Sequence, residues 1–307
     1  MSSNRKSRRL TIVFTDAQLE QYEKQGAVTI DSPFTTEQLD RAEAAWDRLK
    51  QNGGEPYEEP GYVDVIQHPY FEEVAKKLLR ANAVHLWWGL APHERPPTNP
   101  PYTNSRDQWA RGCHVDIQAT LEDFEATPRR MRAELWFWLN DVPADRGAMR
   151  ILPGSHRAVM EHWNRVLSSE HKAQLPRVHG LRPAPVSENA PSFPEYIPDI
   201  DKLPWIEHQP VPAVARRGQI LILCSAGLHS AWQNENTISR KAMGTSWVAT
   251  GVSCGLPKNQ RDAVMSFFPK LRNKLRPERV HIVPDNFDWL FESDYQPKWE
   301  ETFLPSR

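Results

Sequence analysis

The chain reads as a mainly β fold, an antiparallel sandwich or barrel, with helices packed against it. Three observations predict this class. Amphipathic helical periodicity is concentrated in residues 12–82. From residue 112 onward the chain alternates strand-like segments with turn residues, and helices followed by a run of strands is the pattern of packed α and β layers. The 12 Trp supply aromatic mass for a core, while 27 Pro in 307 residues predict many loops.

The elements follow in order. Asp16–Lys24 is a short polar helix ended by Gly26, with Ala27–Ile30 extended after it. Thr35 or Thr36 caps a second helix, Glu37–Lys50, whose Leu39, Ala42, Ala45, Trp46 and Leu49 recur at three and four. Gly53–Pro60 is linker-like but too short to separate domains, and Tyr70–Leu79 is a third amphipathic helix. Ala83–Leu90 is extended and aromatic, and Pro96–Tyr102 is a Pro-rich loop. The strand segments are His114–Ala119, Met131–Asn140, Ala148–Leu152, Gly218–Cys224 and Ala242–Val252. Between Ser155 and Arg217 a helix, Val159–Ser169, gives way to the Pro-rich stretch Leu181–Pro212, whose length marks either a lid or a poorly ordered loop. No internal repeat is present.

Charge and cysteine content narrow the function classes. Lys+Arg number 38 against 39 Asp+Glu, a net charge of −1, so the surface offers no bulk attraction to nucleic acid or an anionic membrane. No apolar run approaches the roughly 18 residues of a membrane span. The three cysteines, Cys113, Cys224 and Cys254, form no CxxC pair, which argues against a disulfide framework and a structural zinc site. The basic stretch Met1–Arg9 leads into no secretory apolar segment and reads as a solvated tail. A reduced, cytoplasmic location is the expectation.

His114-Val115-Asp116 carries the chemistry. On a strand, positions i and i+2 share a face, so an imidazole nitrogen and a carboxylate oxygen converge while Cys113 and Val115 point away. A second imidazole would complete a two-histidine, one-carboxylate set, which leaves coordination positions open and suits Fe(II). Alone, a His-x-Asp triplet is weak, since chance occurrences are common. Its context strengthens it. Ala215–Cys224 contains a buried-type strand, and His229 follows it before the polar turn Gln233–Asn236. Arg240 opens the next strand and offers a planar, permanently charged fork for a carboxylate.

Four segments in this order resemble the phytanoyl-CoA dioxygenase family of Fe(II)- and 2-oxoglutarate-dependent oxygenases. They are Phe14–Gly26, His114–Asp116, Trp136–His156 with its Pro-Gly-Ser-His ending, and Arg217-Gly218 with His229 and Arg240. The third is the most specific. The resemblance covers about residues 12–252. It implies a double-stranded β-helix, a jelly-roll (cupin-like) barrel with the metal at one mouth. It implies His114, Asp116 and His229 as iron ligands, Arg240 as the partner of the distal carboxylate of 2-oxoglutarate, and Trp136 as an aromatic beside the iron. Because the carboxylate of Asp116 is present, hydroxylation or a related oxidation is implied rather than halogenation. The expected reaction consumes O₂ and 2-oxoglutarate, oxidises a small organic substrate and releases succinate and CO₂. The alternative of another class is a non-catalytic metal-binding protein on the same barrel.

The expected organisation is one oxygenase domain over 1–307. It comprises the helical part 12–82, a jelly-roll core at 83–255 interrupted by the insert 155–217, and a C-terminal extension 256–307 outside the resemblance. Departures from the family pattern occur at Ala231, where many relatives carry Ser, and at His85, Leu86, Trp87 and Trp88, where polar residues are usual. Gln108, six residues before His114, is a candidate contact to the co-substrate. His156 reads as a turn-holding residue, Trp87, Trp88, Trp109 and Trp138 as core or cavity lining, and Arg111 and Arg150 as surface charges or acid-binding groups. Cys113 reads as an inert small apolar residue.

Overall fold

The computed structural model describes residues 13–101, 113–116, 132–166, 210–250 and 266–283. The first helix, α1 (Asp16–Gln25), starts at a Thr15–Gln18 capping box and ends at Gly26, whose φ of 79° is the left-handed conformation glycine adopts cheaply. Strand β1 (Ala27–Ile30) follows directly, then α2 (Thr36–Asn52), capped by Thr35. All five apolar positions read from the periodicity of α2 are buried.

The stretch 53–60 is not a linker. It holds a 3-10 turn, Pro56–Glu58, and leads into α3 (Pro60–Ile66), with Tyr62, Val63, Val65 and Ile66 buried. Pro60 supplies the fixed φ favoured at a first helical position. Gly61 lets this helix approach α2 closely, since a Cβ there would strike the Arg41 carbonyl. Helix α4 (Pro69–Leu79) completes the N-terminal layer.

Five antiparallel strands form the main sheet, in the order β1, β6 (Ile220–Leu223), β3 (Ala133–Trp138), β8 (Arg240–Ala249), β2 (Val84–Arg95). The smaller sheet runs β5 (Val211–Pro212), β4 (Arg150–Ile151), β7 (His229–Ser230). Strand alternation separates two cores. Leu135, Phe137, Ile220, Ile222 and Met243 join Phe71, Val74 and the other helical residues in the larger core. Trp138, Leu221, Leu223 and Ala242 pack with Met149 and Ile151 in a smaller one, between the sheets. The architecture is therefore mainly β with flanking helices, as expected. Among the described residues the two sheets do not close into a continuous barrel.

Two further segments differ from expectation. Helix α5 (Ser155–Val166) begins at the Ser-His of the Pro-Gly-Ser-His motif, four residues before the expected start. The C-terminal part is not a mere extension. A helical turn at 266–272 and the 3-10 segment Pro277–Ile282 place Phe268, Leu271, Ile282 and Val283 in the larger core. There Arg279 pairs with buried Glu72 at 2.6 Å and donates to the Gln67 carbonyl at 2.7 Å. The lid-like stretch 181–209 and the segments 256–265 and 284–307 lie outside the described residues.

Candidate metal centre

Strand β7 positions His229 at the edge of the small sheet. There its backbone exchanges two hydrogen bonds with His114, of 2.9 and 3.1 Å. The Asp116 N–H donates to the Ser225 carbonyl at 2.8 Å. The His114 segment is thus not the regular strand expected: His114 makes one isolated bridge and Asp116 lies in a bend. The side chains still converge, because the backbone is pinned at both residues. Residues 117–119 of the expected strand lie outside the described region.

His114 Nε2 lies 3.6 Å from Asp116 Oδ1, and His229 Nε2 lies 3.5 Å from Asp116 Oδ2. The two imidazole rings are 4.4 Å apart between centroids, and one donor atom from each residue falls within 4.8 Å of the others. Ligands at about 2.0–2.2 Å from a shared divalent ion sit roughly 3 Å apart, so the donor set fits an ion with little movement. His229 Nδ1 is 2.9 Å from the Gly227 carbonyl. A carbonyl only accepts, so Nδ1 is the donor, and in the neutral ring Nε2 is the nitrogen left to face the centre. His229 is buried, whereas His114 and Asp116 are partly exposed, which leaves one side of the cluster open.

A second acid stands behind the cluster. Glu134, buried on β3, pairs with Arg132 and hydrogen-bonds Asp116. Burial tends to raise the Asp116 carboxyl, but His229, Arg132, His114 and the hydrogen bond with Glu134 outweigh it and hold it below the usual range. Burial and the neighbouring Asp116 shift Glu134 upward, against the opposing charge of Arg132. Sequence reasoning missed Glu134 and Arg132. The signal was an acid inside the otherwise apolar strand Ala133–Trp138, which is costly unless paired.

The same inner face of the main sheet carries Arg240, only 4% exposed. Its Nη1 donates to the Gly147 carbonyl at 2.6 Å and its guanidinium lies 5.3 Å from the Trp138 ring centre. Its buried Nε has no hydrogen-bond partner among the described residues. Burial, aided by the charge of Arg95, lowers its pKa to about 10, so it remains cationic at neutral pH. The cationic fork expected of a carboxylate anchor is present, with one donor still to be satisfied.

Trp136 projects to this face, partly buried, with the His93 ring edge-on at 4.6 Å. Burial, then the charge of Arg240, lowers His93 to about 4, so the ring is neutral. His156 is structural, as expected: Nε2 lies 3.1 Å from the Glu23 carbonyl at the end of α1. Trp87 and Trp138 are buried in the core, and Arg150 stacks 4.9 Å above Trp232. Cys113 fits an inert role, its thiol pushed by burial up to about 12. Ser230 does not replace the serine missing at Ala231, because its hydroxyl donates to the Ala231 carbonyl at 2.9 Å. Gln108, Trp109, Arg111 and Cys254 lie outside the described residues, as does the side chain of Trp88. No helix among the described residues is long and apolar enough to cross a membrane.

The family model described as phytanoyl-CoA dioxygenase matches residues 13–242. The chain belongs to the phytanoyl-CoA dioxygenase family. Membership places it among the non-haem iron, 2-oxoglutarate-dependent oxygenases. The fold agrees with solved structures at low identity. SnoK, a non-heme alpha ketoglutarate dependent carbocyclase from nogalamycin biosynthesis, is 18% identical, with 78% of this chain and 86% of SnoK covered at a TM-score of 0.50. EctD from S. alaskensis in its apoform is 13% identical, with 78% and 79% covered at 0.51. The same enzyme with bound Fe is 14% identical, with 80% of each chain covered at 0.51. No curated protein matches the chain.

Proposed function

We propose that this protein is an Fe(II)- and 2-oxoglutarate-dependent dioxygenase that hydroxylates, or otherwise oxidises, a small organic substrate. The observation that carries this reading is the convergence of His114, Asp116 and His229 within 4.8 Å on the inner side of a phytanoyl-CoA dioxygenase fold. In this reading those three side chains hold the iron, and Arg240 binds the far carboxylate of 2-oxoglutarate. The bound iron and co-substrate supply the oxidising chemistry, in which O₂ is consumed and 2-oxoglutarate becomes succinate and CO₂.

The residues of the chain prepare that chemistry. The Gly227 carbonyl holds the proton of the neutral His229 ring on Nδ1, which makes Nε2 the ligating nitrogen. The Ser225 carbonyl anchors the Asp116 backbone, and Glu134 with Arg132 braces its carboxyl. Three protein donors would leave the ion further coordination positions for the keto acid and O₂. Trp136 and neutral His93 put an aromatic, uncharged pair of rings near Arg240.

Oxygen-free titration with Fe(II) and 2-oxoglutarate tests the reading: a weak visible charge-transfer band is expected for the wild type and none for His229→Ala. A band that survives the substitution would remove His229 from the ligand set. Succinate release on admitting air separates an oxygenase from a metal-binding protein without turnover.

A further inference from the structure

Strands β2 and β8 place Arg95 directly opposite Arg240 in the antiparallel register. Directly opposed residues share a face, and like charges so placed repel. Among the described residues, neither guanidinium has a carboxylate partner; each is steadied by a carbonyl instead. Arg95 Nε donates to Trp232 O at 2.7 Å, and Arg240 Nη1 to Gly147 O at 2.6 Å.

Gly147 sets how close the two arginines come. Its carbonyl holds Arg240, and its α-carbon lies against the stem of Arg95, so that a Cβ would sit 2.7 Å from Arg95 Cγ. The turn is held with φ at 60°, where glycine costs least. The chain thus brings two cations together on the inner face, fixes both through backbone carbonyls, and among the described residues leaves the buried Arg240 Nε without a partner. Such an arrangement is costly without an anion and favourable with one.

We propose that Arg95 is a second guanidinium for the carboxylate that Arg240 binds, so that the far carboxylate of 2-oxoglutarate is held between two arginines. This rests on the oxygenase reading above. Arg95 then sets selectivity for a dicarboxylic keto acid over a monocarboxylic one.

The test compares equilibrium binding of 2-oxoglutarate with that of 2-oxopentanoate, the same keto acid lacking the far carboxylate. Binding is measured calorimetrically on the full chain loaded with Ni(II) under nitrogen. Arg95→Met keeps a stem against Gly147 and removes the charge. It is expected to weaken 2-oxoglutarate about ten- to a hundredfold, the range for a lost charge-assisted hydrogen bond, and to leave 2-oxopentanoate unchanged. Arg95→Lys, which keeps the charge but not the fork, is expected to fall between, and it serves alone if the Met variant does not fold. A wild type that prefers 2-oxoglutarate, with a preference unaltered in either variant, overturns the role of Arg95 and leaves the oxygenase reading standing. A wild type with no preference for 2-oxoglutarate overturns both.

Discussion

The two sheets of this protein are built on opposite principles. The main sheet has strands of up to 12 residues, long ladders broken only by two register shifts in β2, and apolar residues on both faces, backed by α2, α3 and α4. Each strand of the small sheet is two residues long, and its extension through His114 is a single bridge. One sheet is held mainly by area removed from water, whereas the other adds Ile151 to the smaller core and otherwise rests on particular hydrogen bonds to named carbonyls. Stability and chemistry are therefore separable: damage to the main sheet should unfold the protein, and damage to the small one should empty the site of a folded protein.

The largest expected effect tests the second half of that contrast. Asp116→Ala should weaken divalent-metal affinity by more than about a hundredfold, above the range for losing a supporting residue, with little change in the unfolding midpoint. A large loss of stability without loss of metal would contradict the separation. On the other side, Phe137→Ala should cost about 3–5 kcal/mol in denaturant unfolding, since Phe137 is fully buried between sheet and helices. Its folded fraction should bind metal like the wild type.

Breaking the buried Glu72–Arg279 pair should cost a similar amount. Glu72→Gln leaves Arg279 buried without its counter-charge, a loss of about 3–5 kcal/mol. This pair also has a pH signature. Burial opposes ionisation of Glu72, but Lys76, His281 and Arg279 prevail and lower its carboxyl from 4.5 to about 2. A depressed folded pKa means that the stabilisation is complete above 4.5 and is lost as pH falls towards 2. The stability gap between wild type and Glu72→Gln, followed by urea unfolding, should narrow across that window and be constant above it. The smallest effect belongs to the periphery of the main layer: Thr35→Ala removes the cap of α2 and should cost about 1 kcal/mol.

What the sequence revealed follows the same division. The periodicity of α2 named its buried face residue for residue, because an amphipathic helix writes its packing locally. The main strands were legible in type, with ends a few residues off, since apolar runs mark burial rather than hydrogen-bond limits. Helix α3 was hidden among Gly and Pro that also mark linkers, although Pro60 fits a helix start. At the site, His114, Asp116 and His229 could be nominated and Arg240 placed at the start of its strand. Glu134 and Arg95 could not, because their meaning lies in register: each becomes significant only beside a residue more than a dozen positions away in the chain. The same holds for the C-terminal turns, whose Arg276 and Arg279 find their partners at Gln67 and Glu72.

The end of α1 carries a practical consequence for anyone redesigning the terminus. The Gly26 carbonyl accepts the Cys224 N–H at 2.7 Å, and a side chain at Gly26 would collide with the His156 ring. Cys224 O in turn receives the Gly227 N–H at 2.8 Å, and the carbonyl of that same Gly227 orients His229. The left-handed glycine is thus a doorstop beneath the loop that aims an imidazole. A side chain placed at this glycine would press on the His156 ring and be felt at the loop that aims the His229 imidazole.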